Sequence, residues 1–156
     1  MTRRFAFTAA PILAALALAT LGASAAQADE RFGPLLPAYR DECGSCHVAF
    51  PPALLPAASW QRLMAGLDRH FGVDASLDDA TRSAITAWLA GARHSRESAP
   101  PPEDRITRSR WFVREHDEVA ASVWQRPAVG RPSNCAACHA GADKGVFDEH
   151  AIRIPR

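Results

Sequence analysis

Five residues in the first third of the chain, Cys43-Gly44-Ser45-Cys46-His47, return near its end as Cys135-Ala136-Ala137-Cys138-His139, and no other feature constrains the fold as strongly. C-x-x-C-H is the attachment pattern of a c-type haem: two thiols add to the porphyrin vinyl groups as thioethers, and the histidine that follows becomes an iron ligand. The spacing has a physical reason. On one helical turn residues i and i+3 share a face, so both sulfurs reach one edge of the macrocycle while residue i+4 points at the metal. Two covalently attached haem c groups are therefore expected, one on Cys43, Cys46 and His47 and one on Cys135, Cys138 and His139. A four-cysteine zinc site is the competing reading, but zinc does not require a histidine after each pair. A thioredoxin-like redox pair belongs at a strand-to-helix turn, and no alternating or β-branched run precedes either motif.

The first residues read as a secretory leader. Arg3 and Arg4 give a positive start, an apolar run extends from about Ala9 to Gly22, and Ala26-Gln27-Ala28 is an A-x-A cleavage pattern. Residues 1–28 are thus expected to be removed, leaving a mature chain from Asp29 in the periplasm. The run is short for a membrane span, and the general secretory path is preferred over a twin-arginine route because that route carries folded cargo. Four cysteines in an exported protein ordinarily imply disulfides, but here both pairs are used by the motifs and none is expected.

Loss of Arg3 and Arg4 takes the formal charge from +1 to about −1, and the propionates of two ferric haems would bring it to roughly −3. With no basic excess, nucleic acid is excluded as a partner. Nothing points to a small-molecule substrate or to an oligomer.

Residues 29–58 hold Pro34, Pro37, Pro51, Pro52 and Pro56, so extended coil is expected there apart from the motif's own turn. A helix capped by Ser59 then carries Trp60, Leu63, Met64 and Leu67, with His70 and Phe71 on the same stripe. A second begins at Ser76, whose spacing to Asp79 resembles a capping box, and runs through Ile85, Trp88 and Leu89 to Gly91. A third starts near Ser109, with Phe112, His116, Val119, Ala120 and Val123 as its apolar stripe. Between them, Arg93, His94, Arg96 and Glu97 lead into Pro100-Pro101-Pro102, a polar and then stiff stretch. The chain divides on this basis into an N-terminal haem domain over 29–98, a linker over 99–104 and a C-terminal haem domain over 105–156, an all-α architecture of two small helical units with proline-rich loops. The tail from Ala151 to Arg156 reads either as an extended piece laid over haem or as a loose end.

Each iron needs a sixth ligand or an open site. The mature chain has one methionine, Met64, so at most one haem has His/Met ligation. Of the other histidines, His70 and His116 fall on apolar stripes, whereas His94 lies among charged neighbours and reads as a solvated loop residue. His70 is 23 residues after His47, and His116 is 23 before His139. The expected axial pairs are His47 with His70 and His139 with His116. A crossed pairing, His150 in place of His116, and Met64 in place of His70 stay open, although Met64 reads first as a core filler. Trp60, Phe71, Trp88, Trp111, Phe112 and Trp124 are expected as pocket walls or core. Arg105, Arg108, Arg110 and Arg114 form a basic run that suits propionates, an acidic partner or simply a solvated face.

The motif Cys43–His47 with Phe50-Pro51-Pro52 and Leu54-Leu55-Pro56, then Trp60 to Met64, His70-Phe71-Gly72 and Ala75-Ser76-Leu77, resembles the small dihaem cytochromes c known as DHC. Trp111-Phe112 ahead of His116 and a second motif near the C-terminus carry the likeness over the whole mature chain. The resemblance implies a periplasmic electron carrier with two bis-histidine, low-spin haems, ligated here by His47, His70, His116 and His139. It also implies redox partners: an SHP-like monohaem cytochrome that binds diatomic ligands, and a membrane cytochrome b. A one-electron carrier, not an enzyme, is therefore expected. The alternative is a small dihaem redox enzyme or diatomic-gas sensor with one open or displaceable haem site.

Overall fold

The computed structural model describes residues 32–156 other than Arg96 and Ser98, so the expected leader and its cleavage site lie outside the described residues. The chain is all-α, as expected. Among the described residues there is no strand, only two isolated bridges, His70 to Val73 and His139 to Ile152. No described helix is long and apolar enough to cross a membrane.

The proline-rich start is not extended coil throughout. Helix α1 runs from Pro37 to Gly44 and so enters the first motif. Pro37 sits in its first turn, where the missing N–H is not needed and the fixed φ suits a helix. Tyr39 is buried on α1 and donates its hydroxyl to the Phe50 carbonyl at 2.7 Å, which ties the helix to the stretch beyond the motif.

Helix α2 covers Ala57–Ala65 and starts after Pro56, so Ser59 is not its cap. Ser59 is fully buried within the first turn, against Arg62 Nη2. Trp60 is buried on the same helix and donates Nε1–H to the Pro52 carbonyl at 2.8 Å, anchoring the Pro52–Leu54 turn. Helix α3 covers Asp79–Gly91, and its cap is Asp78, whose carboxylate accepts from the Ala80 and Thr81 N–H groups. The Ser76 capping box is not formed: the Ser76 N–H donates instead to Asp74. Three helices close on one core of Tyr39, Ala49, Leu55, Trp60, Met64, Ile85 and Leu89. Each large side chain buried there contributes about 1.5–3 kcal/mol against solvation.

Beyond Gly91 the chain lies along this core. The Ser95 N–H donates to the Leu55 carbonyl at 3.0 Å, the Glu97 carboxylate accepts from the Trp111 N–H at 2.7 Å, and Ile106 packs on the core edge. Asp104 takes both prongs of the Arg62 guanidinium, at 2.8 and 2.6 Å. His94 is not solvated: it is half-buried, with Nε2 enclosed and unpartnered.

The expected third helix is two short ones. Helix α4 covers Arg110–Glu115, with the Ser109 hydroxyl accepting from the Phe112 N–H at 3.0 Å, and α5 covers Ala121–Trp124. Short 3₁₀ turns at Cys135–Ala137, Ala142–Lys144 and Glu149–Ala151 build the remainder around buried Phe112, Val123, Val129 and Ala142. The tail is pinned, with the Arg153 N–H on the Cys138 carbonyl at 3.0 Å and Arg126 donating to the Pro155 carbonyl.

Candidate haem-binding site

Both motifs are wound as helical turns, by different routes. In the first, Cys43 and Gly44 end α1 and Ser45 to His47 turn away from it. In the second, a single 3₁₀ turn carries Cys135 to Ala137, and the His139 N–H closes back on the Cys135 carbonyl at 2.8 Å. All four thiols are free. Burial, with the neighbouring Glu42 charge, pushes the Cys43 thiol up to about 11, and burial likewise takes Cys135 to about 11. Burial also raises Cys138 above the ordinary thiol range. Cys46 is exposed.

His70 and His116 stand just past helix ends instead of on helical stripes. Gly66 ends α2 and a 3₁₀ turn over Leu67–Arg69 delivers His70. His116 is the residue at which α4 stops. The fold still brings each to a motif histidine. The His47 and His70 ring centres are 6.1 Å apart, and those of His116 and His139 are 6.2 Å apart. Two metal–imidazole bonds of about 2.0–2.1 Å, with about 1.1 Å from each nitrogen to its ring centre, span about 6.2–6.4 Å. Each pair is thus spaced for one metal ion between its rings.

Hydrogen bonding fixes which nitrogen is offered. His47 donates Nδ1–H to the Val48 carbonyl at 2.7 Å, and His116 donates Nδ1–H to the Phe112 carbonyl at 2.9 Å. In both rings Nε2 is left as the basic nitrogen, the arrangement in which an outer hydrogen bond orients a metal ligand. In the opposing rings Nδ1 of His70 and of His139 is buried without a partner. Burial first, then the facing His47 and Arg105, hold His70 below the usual imidazole range, and burial and His116 do the same to His139. Neutral rings keep a lone pair for a metal. The residues therefore fit a haem iron at each pair.

Each imidazole also has an aromatic neighbour. Phe50 stacks on His47 at 4.9 Å and Phe112 on His116 at 4.1 Å, while Phe71 and Phe147 meet His70 and His139 at steeper angles, at 4.8 and 5.4 Å. Phe71, Phe112 and Trp124 are walls, as their positions in the sequence led us to expect. Phe50 and Phe147 were missed, and the only signal for them was an aromatic shortly after each motif. Met64 is buried in the core and His150 is exposed in the Glu149–Ala151 turn. An open cleft of about 470 Å³ beside the first motif is lined by Gly44, Ser45 and His47 and also by Asp143 from the far half of the chain. Arg105 and Arg108 of the basic run both pair with Glu103, and Arg114 pairs with Glu115.

Comparison with known proteins follows the same lines. The family model for dihaem cytochrome c matches residues 39–147. A crystal structure of a dihaem cytochrome type c from Shewanella baltica OS155 is 40% identical, with a TM-score of 0.67, over 76% of this chain and 92% of that one. DHC purified from Rhodobacter sphaeroides is 46% identical, with a TM-score of 0.64, over 73% and 98%. A second structure of the Rhodobacter sphaeroides dihaem cytochrome c is 43% identical, with the same TM-score, over 72% and 96%. No curated protein sequence matches. With two C-x-x-C-H turns and a family match over most of its length, the chain belongs to the dihaem cytochrome c family and is an electron-carrier cytochrome with two haem c groups.

Proposed function

We propose that the protein is a low-potential one-electron carrier of the periplasm in which both haems are closed by two imidazoles, His47 and His70 on the first and His139 and His116 on the second. The observation that carries this reading is the pair of ring separations, 6.1 and 6.2 Å, each the span of one metal between two imidazoles. The haems supply a ferric/ferrous couple. Around them His47 and His116 are held in one tautomer by backbone carbonyls, and Phe50 and Phe112 fix their rotation, so the ligands need not move when the charge changes. Two imidazoles place the potential below that of His/Met ligation, because thioether favours the ferrous state. Closed coordination also leaves no position for a substrate, which is why we assign transfer and not catalysis.

Export rests on the leader pattern of residues 1–28. The partners we propose, from family likeness, are an SHP-like monohaem cytochrome and a membrane cytochrome b. Addition of carbon monoxide to the dithionite-reduced protein tests the carrier reading: the spectrum is expected to stay low-spin and unchanged. A carbon monoxide adduct at either haem would favour an enzyme or gas sensor with a displaceable ligand.

A further inference from the structure

Among the described residues, three that are not glycine have φ in the left-handed region: Phe71 at 51°, Glu103 at 57° and Asp104 at 55°. Phe71 adjoins His70, and Glu103 pairs with Arg105, which lies over the Phe71 ring. Such backbone costs about 1–2 kcal/mol per residue and is retained where surrounding contacts hold it, frequently at functional sites. Here the contacts are visible. Phe71 and Gly72, the latter with φ 98°, form a turn closed by the Val73 N–H on the His70 carbonyl at 3.1 Å. The turn swings the Phe71 ring outward, 45% exposed, while keeping it 4.8 Å from the His70 ring. Arg105 lays its guanidinium over that ring, 4.3 Å from the centre, an attractive cation–π geometry.

Glu103, presented by its own left-handed backbone, accepts from Arg105 Nε at 2.9 Å and also pairs with Arg108, while Asp104 beside it is gripped by Arg62. Strained backbone on two segments is thus used to park one permanent cation against the ring that edges His70. The His116–His139 pair is different. Its ring neighbours are Phe112, Trp124 and Phe147.

We propose that Arg105 is a tuning residue for the first haem: its charge raises the reduction potential at the His47–His70 site, Glu103 partly offsets it, and the second haem is left untouched. The inference rests on the ligation proposed above. Taking up an electron lowers the positive charge at the iron, so a fixed cation nearby favours the ferrous form, and a carboxylate opposes it.

The test is potentiometric titration of the haem-loaded protein, with electron paramagnetic resonance to tell the haems apart. The imidazole planes are 22° apart in the first pair and 72° in the second, and near-parallel and near-perpendicular axial rings give different ferric low-spin signals. Arg105→Gln should lower the first midpoint by roughly three- to tenfold in the reduction equilibrium, about 28–59 mV for one electron, and leave the second in place. Glu103→Gln should raise that same midpoint. Both changes break the Arg105–Glu103 ion pair, so a merely structural role would move the first midpoint the same way in both, and that result overturns the proposal. So does an unchanged midpoint, or an equal shift of both haems. Arg105→Lys keeps the charge and should hold the midpoint near the parent's; a fall as large as in Arg105→Gln also overturns it. Absence of a low-spin signal in the parent protein would instead strike the ligation itself.

Discussion

Replacing His70 by alanine isolates what the second imidazole does for the first haem. His47 keeps its hydrogen bond to the Val48 carbonyl and both thioether positions are untouched, so haem content is unchanged. The geometry sets the size of the opening. With ring centres 6.1 Å apart, an iron midway lies about 3 Å from each, and the alanine methyl sits about 2.6 Å behind the lost ring centre. The nearest new atom on that side is then about 5.5 Å from the iron, too far to bond and roomy enough for a diatomic ligand. Met64 is held in the core, so it does not swing in to replace the histidine. We expect one haem to become high-spin, and the reduced variant to bind about one equivalent of carbon monoxide where the parent binds none. The double variant His70→Ala with His116→Ala should bind about two. The assay is a spectrophotometric carbon monoxide titration with haem counted as the pyridine haemochrome. Zero equivalents in the single variant, with haem retained, would refute the assignment of His70.

Two further consequences concern the scaffold. Asp104 is held below the usual carboxylate range chiefly by its hydrogen bond from Arg62, so its stabilisation is fully present above the unfolded-state value near pH 4 and is lost as pH falls through the lower folded value. Asp104→Asn should therefore lower the urea midpoint at pH 7 and by progressively less as pH falls below about 4; an equal difference throughout would exclude the ion pair as its source. In Gly141→Ala, two residues beyond His139, the added methyl would lie 2.8 Å from Val146 Cβ, so we expect a loss of about 1–3 kcal/mol in chemical unfolding and disturbance of the second haem's spectrum alone. An unperturbed second haem would show that the Gly141 turn does not support His139.

What could be read from the sequence divides along physical lines. The covalent motifs are local, since five consecutive residues carry their whole geometry, and the ligand candidates followed from how few histidines and methionines remain. The error over His70 and His116 came from periodicity. Leu67 and His70 continue the apolar spacing of α2 because the 3₁₀ turn after Gly66 keeps facing the same core, so the pattern outlasts the helix. His116 likewise stays one turn from Phe112, bound to its carbonyl, although α4 has ended. α1 was hidden by proline density, which disfavours helix except in the first turn, the place Pro37 occupies. The Arg105–Phe71–His70 contact has no local signal, because it joins two segments through left-handed backbone that neither Phe71 nor Glu103 advertises.

The most direct measurement is a crystal structure of the haem-loaded protein that locates both irons. We predict Nε2 of His47 and His70 at about 2.0 Å from one iron and Nε2 of His116 and His139 at about 2.0 Å from the other. A water or open position on either iron, a bond from Met64 or His150, or a histidine reaching across to the other half's haem would contradict it.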